Sequence, residues 1–175
     1  MADIAAAWRR VEGVLRRRPR TGLHADAPAR ARWNGGTLVT CTHESGAKLV
    51  TDMPTELGGD GSAVTPGWLL RAGLAACAAT TIAMTAAAEG IELDALEIDA
   101  SSNSDTRGLF GMSEMDGARV DAGPRDVQLH VRVSARGVAP ERLRALIEAS
   151  HRRAPVSRAL ENPVPVKLRI DVDVA

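Results

Sequence analysis

Apolar residues recur at helical spacing from Asp3 to Arg16, with Ile4, Trp8, Val11 and Leu15 in one stripe and arginines between them. The pattern predicts a first helix capped by Asp3, followed by a Gly- and Pro-containing connector from Pro19 to Pro28. The period then changes from 3.6 to two. Ala29 to Trp33, Thr37 to His43 and Ala47 to Asp52 read as strands, and Asn34-Gly35-Gly36 and Glu44-Ser45-Gly46 supply turn residues that tolerate positive φ. These three strands form an antiparallel meander. Residues 1–28 are thus a helix with its connector, and residues 29–175 are the main domain.

After a glycine-rich stretch from Met53 to Val64, the segment from Pro66 to Glu89 carries full helix punctuation. Thr65 can cap it, Pro66 suits its first turn, and Gly90 stops it. Arg71 is its only interior charge, so the helix is apolar on almost every side and is expected to be buried. The uncharged run from Ala72 to Ala88 is shorter than the about 20 residues of a membrane span and is mostly Ala, Thr and Gly, which favours a core helix.

Strict alternation returns in Leu93 to Ala100 and Asp126 to Ala135, two further strands. The polar segment between them, Ser101 to Arg125, spends the only Phe, Phe110, between Leu109 and Met112. It is expected to be a mobile flap whose three apolar residues cover a substrate pocket. Pro140 to His151 reads as a second amphipathic helix with Leu143, Leu146 and Ile147 inward, followed by a helical turn at Ser157 to Glu161 and a last strand, Val166 to Val174. The fold class is α+β, with antiparallel sheet wrapped around a buried central helix. A helix apolar all round needs cover on both sides, and a homodimer would supply the second.

At 175 residues the chain is one domain's worth of material, and 45% hydrophobic with 25% charged residues is an ordinary globular balance. Aromatics are only 2%, so the core must be built from small and branched aliphatics. A net charge of +0 offers no field for nucleic acid or a membrane, and neither is expected as a partner. The run Arg16, Arg17, Arg18, Arg20 reads as a solvated helix end, where cations complement the dipole.

Two cysteines, Cys41 and Cys77, are too few for a disulfide scaffold or a zinc site and suit a reducing compartment; with no basic, apolar leader at the N-terminus, a cytoplasmic location is expected. His24, His43, His130 and His151 are scattered over different elements, and no phosphate-binding or dinucleotide motif occurs. No metal and no cofactor are expected. Cys77, in the middle of the apolar helix, reads either as a small buried hydrophobe, the commoner role, or as a reactive thiol. As a thiol it would need a cation from elsewhere, because the N-terminus of its own helix is distant. Cys41 reads as structural.

The order of segments is more informative than any single residue. A meander ending in Asp52-Met53-Pro54, then Leu57-Gly58-Gly59-Asp60-Gly61, then Thr65-Pro66 opening an Ala-rich helix with a central Cys77 before Glu89-Gly90-Ile91, resembles the OsmC/Ohr superfamily (osmotically inducible protein C and organic hydroperoxide resistance protein). His151-Arg152-Arg153-Ala154-Pro155-Val156-Ser157 and the strand after Pro165 are similar to that family's second motif. The resemblance runs from about Ala29 to the C-terminus.

It implies an intertwined homodimer with active sites between subunits, and a thiol peroxidase whose peroxidatic cysteine matches Cys77. The second cysteine of the family motif falls at Ala154. The early acidic position falls at Gly67 or Trp68, and Arg30 and Arg32 are the nearest substitutes for the family's thiolate-stabilising arginine; Arg71, Arg107 and Arg119 are further cations. Two readings follow. One is a single-cysteine reductase of organic hydroperoxides that uses an external thiol; the alternative is a non-catalytic protein of the same fold that binds a small apolar ligand or acts as a structural partner.

Overall fold

The structure, a computed structural model, describes residues 3–162 and 164–172. Helix α1 (Ile4–Arg17) begins where expected, with the Asp3 carboxylate accepting from the Ala6 amide at 2.9 Å. Strands β1 (Arg30–Trp33), β2 (Val39–Thr42) and β3 (Lys48–Thr51) make a three-stranded antiparallel sheet in sequence order. Its register pairs Ala31 with Cys41 and Cys41 with Leu49, so one face carries Ala31, Trp33, Val39, Cys41 and Leu49 while the other carries Arg30, Arg32, Thr40 and Lys48.

The glycine-rich segment after β3 is a knot tied on one carboxylate. Asp52 is buried, and its Oδ1 accepts from the Thr37 hydroxyl at 2.6 Å and the Met53 amide at 2.8 Å. Its Oδ2 accepts from the Asp60 amide at 3.2 Å and from the amide and hydroxyl of Ser62 at 3.0 and 2.9 Å. The Thr37 hydroxyl first, and then the Ser62 amide, hold the Asp52 carboxyl well below the usual carboxylate range, against the opposing effect of burial. Only glycine fits at position 59, where a Cβ would collide with the Met53 carbonyl, and Gly58 turns the chain at φ 83°. A parallel bridge between Thr51 and Val64 then delivers the chain to the next helix.

Helix α2 (Pro66–Ala88) is capped by the Thr65 hydroxyl, which accepts from the Trp68 amide at 3.1 Å. Beyond it, β4 (Ala95–Asn103) and β5 (Arg125–Ser134) form a two-stranded antiparallel sheet. The alternation read from the sequence separates two environments. Leu96, Ile98 and Val131 pack on the core, whereas Arg132 on the outer face lies 3.0 Å from Glu97 and 2.8 Å from Asp99. Between these strands sit α3 (Thr106–Leu109) and a bridge from Ser113 to Arg119. Helices α4 (Pro140–His151) and α5 (Pro155–Glu161) complete the order.

The core is centred on Ile82 and Ala86 of α2 against Leu146 of α4. Each fully buried aliphatic side chain of this kind contributes about 1.5–3 kcal/mol. The expectation of a buried α2 is met on one face only. Leu74, Ala78, Ile82, Thr85 and Ala86 are buried, while Leu70, Gly73, Ala76, Thr80 and Met84, on the opposite side, are exposed. The physical reason lies in what packs on it: α1, β4, α4 and α5 are the elements in extensive contact with α2, and the three-stranded sheet is not among them.

The expected last strand also differs. Residues 164–172 lie outside regular secondary structure, and the alternating apolar residues stand in solvent, Val166 at 92% and Leu168 at 83% exposure. Positions 173 and 174 of that expected strand fall outside the described residues.

Candidate functional site

Cys77 is a half-buried free thiol on the middle of α2, at the border between the covered face and the open one. Sequence reasoning gave it no donor, because the start of its own helix is distant. The fold supplies one from elsewhere: the Val156 backbone amide points at Cys77 Sγ, 3.5 Å away. Val156 is in the first turn of α5, where the first amides have no partner within the helix. Pro155 before it carries no N–H, and Ala154, at the N-cap position, is fully buried. The turn that holds Ala154, where the sequence resemblance expects a second cysteine, is therefore packed beside Cys77 and carries a methyl group there.

An apolar cavity of about 630 Å³ lies along the covered face of α2, lined there by Leu74, Ala78 and Ile82 and not by Cys77 itself. Leu74 and Ala78, which flank Cys77 on α2, face Leu129 and Val131 of β5 across it, and Ser157 and Leu160 of α5 line its end. Ser157 Oγ is buried without a hydrogen-bond partner among the described residues, an unsatisfied hydroxyl that costs about 1–3 kcal/mol unless something in the cavity meets it. His151 and Glu161 join the lining and hold one another at 2.9 Å, and Arg158 holds the second Glu161 oxygen at 2.7 Å. The site thus combines a thiol, a neutral amide donor to its sulfur, an apolar chamber and one free hydroxyl.

The other residues singled out in the sequence lie elsewhere. Arg30 and Arg32 share one face of β1 and are exposed on a sheet that has no extensive contact with α2. Arg71 reaches Ser102 Oγ at 3.3 Å. Arg107 is held by two carboxylates, Asp105 at 2.6 Å and Glu114 at 3.0 Å, which push its pKa up and keep it occupied at the surface. Leu109, Phe110 and Met112 are exposed, Phe110 at 66%, and do not line the chamber along α2. The segment around them is internally tied, with the Val120 amide donating to the Met112 carbonyl and Val120 buried. Gly67 and Trp68, where the resemblance expects an acidic residue, form the first turn of α2 without a charge. Cys41 is also a free thiol, on the apolar face of the three-stranded sheet. Among the described residues no group of His, Cys, Asp and Glu is arranged to hold a metal.

Residues 59–169 match the family described as OsmC-like protein, and the chain belongs to that family. Among solved structures it is similar to the OsmC-like protein from Mycoplasma pneumoniae, at 20% identity and a TM-score of 0.66 over 81% of this chain and 91% of that one. It is also similar to an organic hydroperoxide resistance protein OsmC from Legionella pneumophila, at 26% identity, a TM-score of 0.57, and coverage of 85% and 100%. The organic hydroperoxide resistance protein OhrB of Bacillus subtilis follows at 25% identity, a TM-score of 0.51, and coverage of 84% and 98%. No curated protein sequence matches the chain.

Proposed function

We propose that the protein reduces organic hydroperoxides through Cys77 alone, in a peroxide-response role, with a low-molecular-weight thiol as external reductant. The observation that carries this reading is the Val156 amide aimed at Cys77 Sγ, with an apolar chamber on the adjoining face of α2 lined by Leu74 and Ala78. Family membership and relatives that are organic hydroperoxide resistance proteins support the peroxide chemistry.

The apolar group of a hydroperoxide would enter the chamber while its O–O bond meets the sulfur. The Cys77 thiolate attacks the terminal oxygen, the O–O bond breaks, and the leaving alkoxide takes a proton to become the alcohol. Cys77 is left as a sulfenic acid. With Ala154 where the family motif has cysteine, the sulfenic acid condenses with an external thiol, releasing water and forming a mixed disulfide. A second thiol attacks that disulfide, forms the oxidised thiol dimer and restores Cys77.

The active form in this proposal is a homodimer in which the apolar face of a second copy's three-stranded sheet covers the open side of α2; Arg30 and Arg32, on the other face of that sheet, then point away from the thiolate. The uncovered face of α2, the apolar face of the separate sheet and the unpaired alternating segment 164–172 all support it. A second reading, a non-catalytic binder of a small apolar ligand, is favoured by one observation, the unpartnered Ser157 hydroxyl in the chamber. Peroxide consumption under single-turnover conditions separates the two. Stoichiometric loss of an organic hydroperoxide with one oxygen gained at Cys77 supports the enzyme, and an unmodified Cys77 after excess hydroperoxide overturns it.

A further inference from the structure

Thr81 and Thr85 of α2 and Ser150 of α4 satisfy their hydroxyls in the same way, each donating to the carbonyl four residues earlier, at 2.8, 2.8 and 2.7 Å. Ser157 has no such outlet. It stands in the first turn of α5, so the residue four before it, Arg153, precedes the helix, and the Ala154 carbonyl already accepts from the Arg158 amide at 3.0 Å. Ser157 is 2% exposed, and its Oγ has no hydrogen-bond partner among the described residues. A buried hydroxyl in this state is uncommon in a folded protein and calls for a partner.

Ser157 lines the cavity of about 630 Å³ along the covered face of α2, which falls within the about 300–1,000 Å³ of small-molecule sites. The long walls are apolar, with Leu74, Ala78 and Ile82 on one side and Leu129 and Val131 on the other. Titratable groups in the lining are confined to Glu148, His151 and Glu161, with no arginine or lysine. Glu161 is engaged through both oxygens, by His151 at 2.9 Å and Arg158 at 2.7 Å. An occupant therefore meets a long apolar surface, one hydroxyl free to donate, and two carboxylates that repel an anion. The chamber adjoins the thiol through consecutive residues: the Val156 amide lies 3.5 Å from Cys77 Sγ, and Ser157 follows it in the chain.

We propose that the chamber binds molecules with an apolar body and one uncharged hydrogen-bond acceptor, an ester or ketone oxygen, and that the hydroperoxides reduced at Cys77 belong to this class and not to the carboxylates. The apolar body lies between α2 and β5, and rotation between staggered rotamers brings the Ser157 hydroxyl onto the acceptor. A carboxylate at the same end meets Glu148 and Glu161, with no arginine or lysine to receive it. The first half of the proposal stands on the chamber alone; the second rests on the hydroperoxide reductase of the preceding section.

Three alkyl hydroperoxides of one chain length, ending in a methyl ester, a methyl group or a carboxylate, test the second half through single-turnover oxidation of Cys77 in the full chain. For the wild type, the second-order rate constant is expected to be about fivefold lower for the methyl-ended compound than for the ester, and about tenfold lower for the carboxylate. In Ser157→Ala the ester is expected to lose its advantage while the methyl-ended compound keeps its wild-type rate. In Glu148→Gln the carboxylate is expected to react faster and the ester as before. Equal rates for the three compounds in the wild type, or an ester advantage that survives Ser157→Ala, overturn the substrate class and leave the reductase standing.

The chamber is tested without peroxide chemistry by calorimetric titration of the alcohol that corresponds to the ester hydroperoxide, which has no O–O bond. Ser157→Ala removes an unpaired hydroxyl and is expected to fold like the wild type, with unchanged circular dichroism and no loss of Tm. Binding to the wild type that weakens about fivefold in Ser157→Ala supports the site. No binding, or equal binding to both proteins, overturns it. A Cys77 left unmodified by all three hydroperoxides overturns the reductase and the second half of the proposal with it, while binding of the alcohol that depends on Ser157 still supports the first half.

Discussion

The Val156 amide and the Cys77 sulfur meet at 3.5 Å, across 79 residues of sequence. This contact places the start of α5 against the middle of α2. The sulfur has one backbone donor on the α5 side, while the stripe of Gly73, Ala76 and Thr80 beside it faces solvent. Cys77→Ser is expected to abolish hydroperoxide consumption, a loss of at least 100-fold in rate, and Cys41→Ser to leave it within twofold. Consumption assays with an organic hydroperoxide and a monothiol check both.

Ala154, fully buried at the N-cap of α5, offers a direct test of the single-cysteine cycle. Ala154→Cys is expected to convert the sulfenic acid of Cys77 into an intramolecular disulfide on treatment with one equivalent of hydroperoxide. The wild type instead holds a sulfenic acid or a mixed disulfide. Intact-mass spectrometry distinguishes a loss of two hydrogens from a gain of one oxygen. The larger side chain in a packed site is expected to cost about 1–3 kcal/mol of stability. Failure of the variant to form the bridge would mean that the Cα atoms lie more than about 7 Å apart or the side chains diverge.

Asp52 sets an acid limit. Its folded carboxyl is held below the usual range by the Thr37 hydroxyl and the Ser62 amide. Stability from this group is therefore fully present above the unfolded carboxyl value of about 3.9 and is lost progressively as pH falls below it, because the unfolded chain binds the proton first. Thermal unfolding followed from pH 6 to pH 2 is expected to show a falling Tm for the wild type. Asp52→Asn, which turns one acceptor into a donor facing donors, is expected to unfold at lower temperature at pH 7 and to show a flatter acid limb.

Core and surface positions should separate sharply. Leu146 is 1% exposed within the Ile82 and Ala86 cluster, so Leu146→Ala is expected to destabilise the protein by about 2–5 kcal/mol in urea unfolding. Phe110→Ala, at an exposed position, is expected to stay within about 0.5 kcal/mol. Its effect on hydroperoxide turnover then reports whether Phe110 covers a site in the assembled protein.

The elements most legible in the sequence are those whose ends carry local chemistry. Thr65, Pro66 and Gly90 mark α2 within a residue, and the alternation from Val127 to Val133 separates core from salt-bridged surface in β4 and β5. The Asp52 knot was not legible, because Thr37 and Ser62 reach its carboxylate from 15 residues before and 10 residues after in the chain. The donor to Cys77 was not legible either, since a backbone amide carries no signature in residue type. Apolar periodicity marked which faces need burial, but it could not say whether this chain or another one buries them. For that reason the open stripe of α2 and the exposed residues 164–172 departed from expectation together.

That last segment yields a test of the assembly that does not depend on activity. Val164, Val166, Leu168, Ile170 and Val172 alternate with Pro165, Lys167, Arg169 and Asp171, a strand pattern with no ladder partner among the described residues. A strand of this kind is costly in water and is a ready template for pairing with another sheet edge. Lys167 and Arg169 are trypsin sites within it. If the strand pairs across two copies, cleavage at these sites is expected to be slow at protein concentrations where the dimer is populated and to accelerate at least tenfold on dilution below its dissociation constant. Pairing with β5 of the same chain would give protection that does not change with concentration, and rapid cleavage at every concentration would leave the segment outside any sheet. Peptide mass mapping of limited digests over a dilution series distinguishes the three outcomes, and only the first supports an intertwined dimer.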